Sequence, residues 1–189
     1  TYTFPAEMRF ADATHAGTMA DAFLNLLLAH GTTTACAFCS VHPESAEALF
    51  AGAQARGMAM VAGKVMMDRN APDGLLDTAQ RGHDETTALI ARWHGRDRLR
   101  YAISPRFAIT STPEQLRAAG TLAAEHPGLH VQTHLSENRA EIDFTLSLYP
   151  QARDYLDVYD REGLLGPRTL MGHAIHLNAR ELARMAETG

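Results

Sequence analysis

Two short segments carry the residues best suited to chemistry: Thr133-His134-Leu135-Ser136-Glu137-Asn138 and Gly172-His173-Ala174-Ile175-His176-Leu177, with His173 39 positions after His134. Each follows an apolar run with strand character. The first sets an imidazole and a carboxylate three positions apart at a strand end, and the second adds another imidazole. Neutral imidazole is a common zinc ligand, and a carboxylate that does not bind the metal can move protons at a metal-bound water. The combination points to hydrolysis.

Elements that would position these residues can be read from the apolar periodicity. Helices are expected over 12–30, 43–56, 77–94, 113–125 and 179–187, with two shorter ones over 140–147 and 153–162. Strands are expected over 32–38, 58–66, 98–104, 129–135 and 169–173. In the first long helix, Met19, Phe23, Leu26 and Leu27 define the expected apolar side, and Gly31 stands just past its end. Strand-helix alternation with short links predicts an α/β fold, a parallel sheet covered by helices. An open doubly wound sheet would be favoured by a Gly-rich turn such as G-x-G-x-x-G, which is absent. In a closed (β/α)8 barrel, functional residues gather at the C-terminal strand ends, where Arg106, His134 and His173 fall. The barrel is the better fit, although five strands cannot close it and 189 residues fall short of the roughly 250 typical of that fold.

Composition excludes several other functions. With 46% hydrophobic and 21% charged residues the chain can bury a core. A net charge of -5 and scattered arginines argue against a nucleic-acid partner. The most apolar run, 22–29, is interrupted by Asn25 and too short to cross a bilayer, so no membrane partner and a cytoplasmic location are expected. Cys36 and Cys39 form a C-x-x-C without a second pair, and are expected to be plain buried thiols. Asp154, Asp157 and Asp160, at three-residue spacing, are expected to form a solvated helix face. Among ten histidines, His130 shares a strand face with His134 but lies nearer the barrel floor and reads as structural.

The His-x-x-Glu of His134 and Glu137 and the Gly-His-x-x-His-Leu of 172–177 resemble the amidohydrolase superfamily of metal-dependent barrel hydrolases. Within it, Arg9-Phe10-Ala11-Asp12, the run from Lys64 to Leu75, and Ser104-Pro105-Arg106-Phe107-Ala108 resemble the guanine deaminase branch. The resemblance implies zinc-dependent deamination of a small-molecule purine, guanine to xanthine and ammonia, in a homodimeric parent. It implies that His134 ligates zinc and that Glu137 is the acid/base. His173 would lie beside the metal as a second catalytic group and possible ligand. Arg106 and Phe107 would contact the base, with His134, Leu135, Ser136 and Glu137 lining the substrate side.

The pattern also departs from that of the superfamily. No His-x-His pair occurs, and the eighth-strand Asp is missing. The expectation is therefore a single partial catalytic barrel domain over 1–189, lacking its first and last strands, from a longer enzyme and inactive alone. Two other readings stay open: a related deaminase or chlorohydrolase acting on adenosine-like, cytosine or triazine rings, and a truncated barrel that serves only as a binding module.

Overall fold

A computed structural model describes residues 2–189. In chain order the elements are α1 (Thr3–Met8), α2 (Ala13–Ala29), β1 (Thr34–Phe38), α3 (Pro43–Ala55), β2 (Ala59–Gly63), β3 (Val65–Met66), α4 (Ala79–Trp93), β4 (Leu99–Pro105), α5 (Pro113–Glu125), β5 (His130–Leu135), α6 (Arg139–Leu148), α7 (Tyr155–Asp160), β6 (Thr169–His173) and α8 (Ala179–Thr188). Helix starts follow capping chemistry. Asp12 accepts from His15 N, Thr112 from Gln115 N and Asn138 from Glu141 N, and Asn178 with Glu181 forms a capping box. Pro43 and Pro113 open α3 and α5, where no backbone N–H is needed.

Every strand pairing is parallel, in the order β1-β2-β4-β5-β6, with β3 paired to β4. The sheet is strongly curled. Strands β1 and β5 are three positions apart, roughly 14 Å in a flat sheet at about 4.8 Å per strand. Yet Gln132 of β5 donates from Nε2 to Ala37 O of β1 at 3.0 Å and to Ser104 Oγ of β4 at 2.8 Å, while Cys36 Sγ donates to its Oε1 at 3.0 Å. One amide can link these strands only across a concave face. The result is the half-barrel of five main parallel strands with alternating helices that the sequence pattern predicts. Among the described residues, no helix is long and apolar enough to cross a membrane.

The helical layer packs on the convex side. Phe50 of α3 stacks on Trp93 of α4 with ring centroids 5.8 Å apart and meets Tyr101 of β4 at 6.1 Å. Gly63 ends β2 where a side chain has no room: a Cβ there would lie 1.8 Å from Ala102 O of β4. The strand expected over 58–66 is accordingly broken after Gly63. Lys64 turns inward, fully buried, to pair with Asp77 at 2.5 Å and Glu85 at 3.2 Å. Gln115 Nε2 supplies a further hydrogen bond to Asp77 at 2.7 Å. A buried ammonium is tolerated when its donors are met in this way.

Three expectations need correction. Helix α2 buries Ala16, Ala20 and Leu24; of the four residues expected to face the core, Leu27 packs against it, whereas Met19 and Phe23 line a cleft and Leu26 is 60% exposed. Gly52 of α3 makes room for Leu24, since a Cβ there would meet Leu24 Cδ1 at 2.7 Å. Cys36 is exposed rather than buried, since β1 forms one edge of the sheet; Cys39 is partly covered, and burial pushes its thiol up to about 12. The acidic run is not a solvated face. Asp154 and Asp157 are buried, and Arg180, Arg153 and Arg161, and Arg184 pair with Asp154, Asp157 and Asp160 respectively.

Burial would push the Asp157 carboxyl up, but hydrogen bonds from the Arg153 side chain and backbone and from Arg161 outweigh it, holding the group well below the usual carboxylate range. A depressed native value means that Asp157 stabilises the fold fully above about pH 4, and that this contribution is lost as pH falls toward the native value. Asp157→Asn is expected to cost about 2 kcal/mol at pH 7, with a smaller difference from wild type at pH 3. Urea unfolding at the two pH values measures this, and a difference independent of pH would contradict it.

Candidate active site

The C-terminal ends of β4, β5 and β6 form one rim. Parallel pairing sets Leu135 against His173 and His134 against Gly172, so the two imidazoles arrive side by side, ring centroids 5.5 Å apart. Gly172 makes the space: a Cβ there would lie 3.1 Å from His134 Cδ2. Glu137, just past β5, points back so that its Oε2 is 3.5 Å from His173 Nε2. The structure thus brings together His134, His173 and Glu137, three of the residues singled out in the sequence.

The backbone holding them is unusual. Ser136, His173 and Ala174 have φ of 50°, 65° and 50°, the left-handed region that non-glycine residues enter at a cost of order 1–3 kcal/mol each. Cross-strand bonds offset that cost. Ala174 N donates to Leu135 O at 2.8 Å, and the amides of Ile175 and His176 both donate to Ser136 O. Leu135 and Ser136 are themselves fully buried. His176 is exposed and contributes its backbone.

Arg106 follows β4 and acts on His134 through its carbonyl, which accepts from His134 N at 3.2 Å and lies 2.7 Å from His134 Nδ1. With Nδ1–H donating to that carbonyl, the lone pair of Nε2 is left outward-facing, the tautomer that metal-binding histidines adopt. Phe107 meets the His134 ring edge-on at 6.4 Å. Phe38, at the end of β1, stacks on the same ring at 4.5 Å, and Glu7 of α1 accepts from Arg106 Nη1 at 3.0 Å.

Phe38 and Glu7 were missed in the sequence. Phe38 had a usable signal, since it stands at a strand end like the other three rim residues. Glu7 had none, being 99 residues from its partner. A cleft of about 400 Å³ opens beside His134, walled mainly by Phe10, Met19, Phe23 and Phe38, with Glu7 and Arg106 as its charged groups. That volume suits a small planar molecule.

Donor chemistry tests the fit to zinc. Two imidazoles and a carboxylate are donors of the right type. Their number is short: among the described residues, no three His, Cys, Asp or Glu side chains converge closely enough to hold an ion. Of these donors, His134 is the one whose Nε2 lone pair the backbone leaves free.

Comparison with known proteins bears on the fold and the family. The chain is 50% identical to guanine deaminase of Escherichia coli (strain K12), covering 99% of the chain and 43% of that protein. A solved E. coli guanine deaminase superposes with a TM-score of 0.97 over 98% of the chain and 44% of the other. The Bradyrhizobium japonicum guanine deaminase structure is 41% identical with a TM-score of 0.97, covering 98% of this chain and 40% of its own. A guanine deaminase from C. acetobutylicum, solved with bound guanine in its active site, is 32% identical with a TM-score of 0.95, covering 100% and 45%. The chain spans about two fifths of the length of these relatives. Residues 12–189 match the amidohydrolase family, and the chain belongs to that family.

Proposed function

We propose that the intact enzyme carrying this chain deaminates guanine hydrolytically to xanthine and ammonia, with zinc as its metal. One observation carries the reading: His134 lines an aromatic-walled cleft that also holds Arg106, and His173, with Glu137 against it, stands beside that same imidazole. The 50% identity to a guanine deaminase supports guanine over the other rings considered. His134 would hold zinc in part, and the bound metal would supply the Lewis acidity that makes water a competent nucleophile near neutral pH.

The chain's own groups then divide the work. Glu137, about half exposed, accepts a proton as water adds to the purine C2 and returns it as the C–N bond breaks, so that ammonia leaves instead of the far more basic amide ion. His173, within 3.5 Å of that carboxylate, orients it and the attacking oxygen. Arg106 presents forked donors to acceptor atoms on the base, and Phe107 offers a ring face or edge. Phe38 stacks on the His134 ring and holds its tilt.

Steady-state assays of the intact enzyme on guanine, adenine, cytosine and a chlorotriazine are expected to give turnover on guanine; activity on another ring with none on guanine would overturn the assignment. Glu137→Gln should lower kcat by about 10²- to 10⁴-fold with little change in KM, and near-normal kcat would remove Glu137 from the acid/base role. The 189-residue chain alone, with its short donor set, is expected to lose zinc on dialysis and to turn over no guanine. Stoichiometric zinc after dialysis, measured by plasma emission, would count against that expectation.

A further inference from the structure

Arg106 is held by a contact that the proposed chemistry does not use. Both Glu7 carboxylate oxygens accept from one nitrogen, Nη1, at 3.0 and 3.2 Å, while Nε and Nη2 have no hydrogen-bond partner among the described residues. The guanidinium also lies over the Phe4 ring, 6.0 Å from its centroid. Both partners are largely covered, Arg106 at 27% and Glu7 at 16% side-chain exposure, so the pair is better shielded than a surface ion pair.

Helix α1 is itself fixed. Met8 packs against the cluster of Val41, Val65, Met67 and Leu75, and its sulfur occupies the space left by the missing side chain of Gly74, where a Cβ would lie 2.6 Å from it. A carboxylate on an anchored helix therefore grips one end of an arginine in the cleft and leaves the Nε–Nη2 edge unoccupied.

We infer that Glu7 is a positioning residue, which orients Arg106 so that its Nε–Nη2 edge meets two adjacent acceptors on the purine. Guanine offers such a pair in O6 and N7, whereas adenine places a donor amine where O6 would be. Glu7 thereby sets affinity and the preference for a 6-oxo over a 6-amino purine without touching the base. The inference rests on the proposed function in taking Arg106 as the contact to the base.

The test uses the intact enzyme. Wild-type turnover of guanine checks the underlying reading separately from the variants. Hypoxanthine, which keeps O6 and N7 but has no amine to lose, serves as a binding probe in titration calorimetry, with adenine for contrast. Glu7→Ala is expected to raise the guanine KM and the hypoxanthine Kd by about tenfold or more, to narrow the hypoxanthine-to-adenine preference, and to change kcat less than about threefold. Glu7→Gln, which keeps an acceptor for Nη1, should recover most of the affinity and stands in if the alanine variant fails to fold. In an Arg106→Ala background, Glu7→Ala should have no further effect on Kd. Three outcomes would overturn the inference: tighter binding in Glu7→Ala or in Glu7→Gln, which would make Glu7 a plug; a loss confined to kcat; or an equal loss when Arg106 is already removed.

Discussion

The carbonyl oxygen of Arg106 is the atom on which the site's geometry depends. It receives the backbone amide of His134 and the Nδ1 of the same residue, so one acceptor fixes both the end of β5 and the orientation of its imidazole. The Arg106 backbone is in turn tied to Met66 O at the end of β3, and its side chain to Glu7. Four separate parts of the chain thus meet at a single residue. Everything else at the rim, including the stacked Phe38 and the neighbouring His173, is placed relative to a ring whose tautomer and tilt are already determined.

Much of the scaffold can be read from the sequence because its determinants are local. Pro113 with Thr112 starts α5 at the expected residue, Gly31 follows α2, and β-branched and small apolar residues mark the strands. The rim histidines are legible for a related reason: parallel strands put their C-terminal ends on one side, so position along the strand is enough. The failures have a common cause in partners distant along the chain. Nothing near Asp154 or Asp160 in the sequence shows that Arg180 and Arg184, 26 and 24 residues further on, will pair with them. The apolar side of α2 keeps Leu27 on the core as its periodicity predicts, but the buried line runs through Ala16, Ala20 and Leu24, with Leu24 fitted over Gly52 of α3, and Met19 and Phe23 wall the cleft. Glu7 belongs to the same class.

Buried polar groups in this fold act as joints between elements. Lys64, Asp77, Glu85 and Gln115 tie the end of β2 to α4 and α5, and Gln132 ties three strands on the concave face. Pairing of the charged members offsets the cost of burying them and leaves few alternative arrangements. This rigidity suits a site whose three chemical groups come from two strands and a loop with strained backbone.

Gly63 shows how far the rim's tolerances extend. The missing methyl at this position lets β2 lie against the carbonyl of Ala102, three residues before Pro105 brings β4 to its end. A wedge of one carbon there would pry two ribbons apart midway along the sheet. Arg106 rides on the end of the displaced ribbon, so the disturbance would arrive at the imidazole as a change of aim. Substitutions that look purely architectural at residue 63 are therefore substitutions in the aim of the rim.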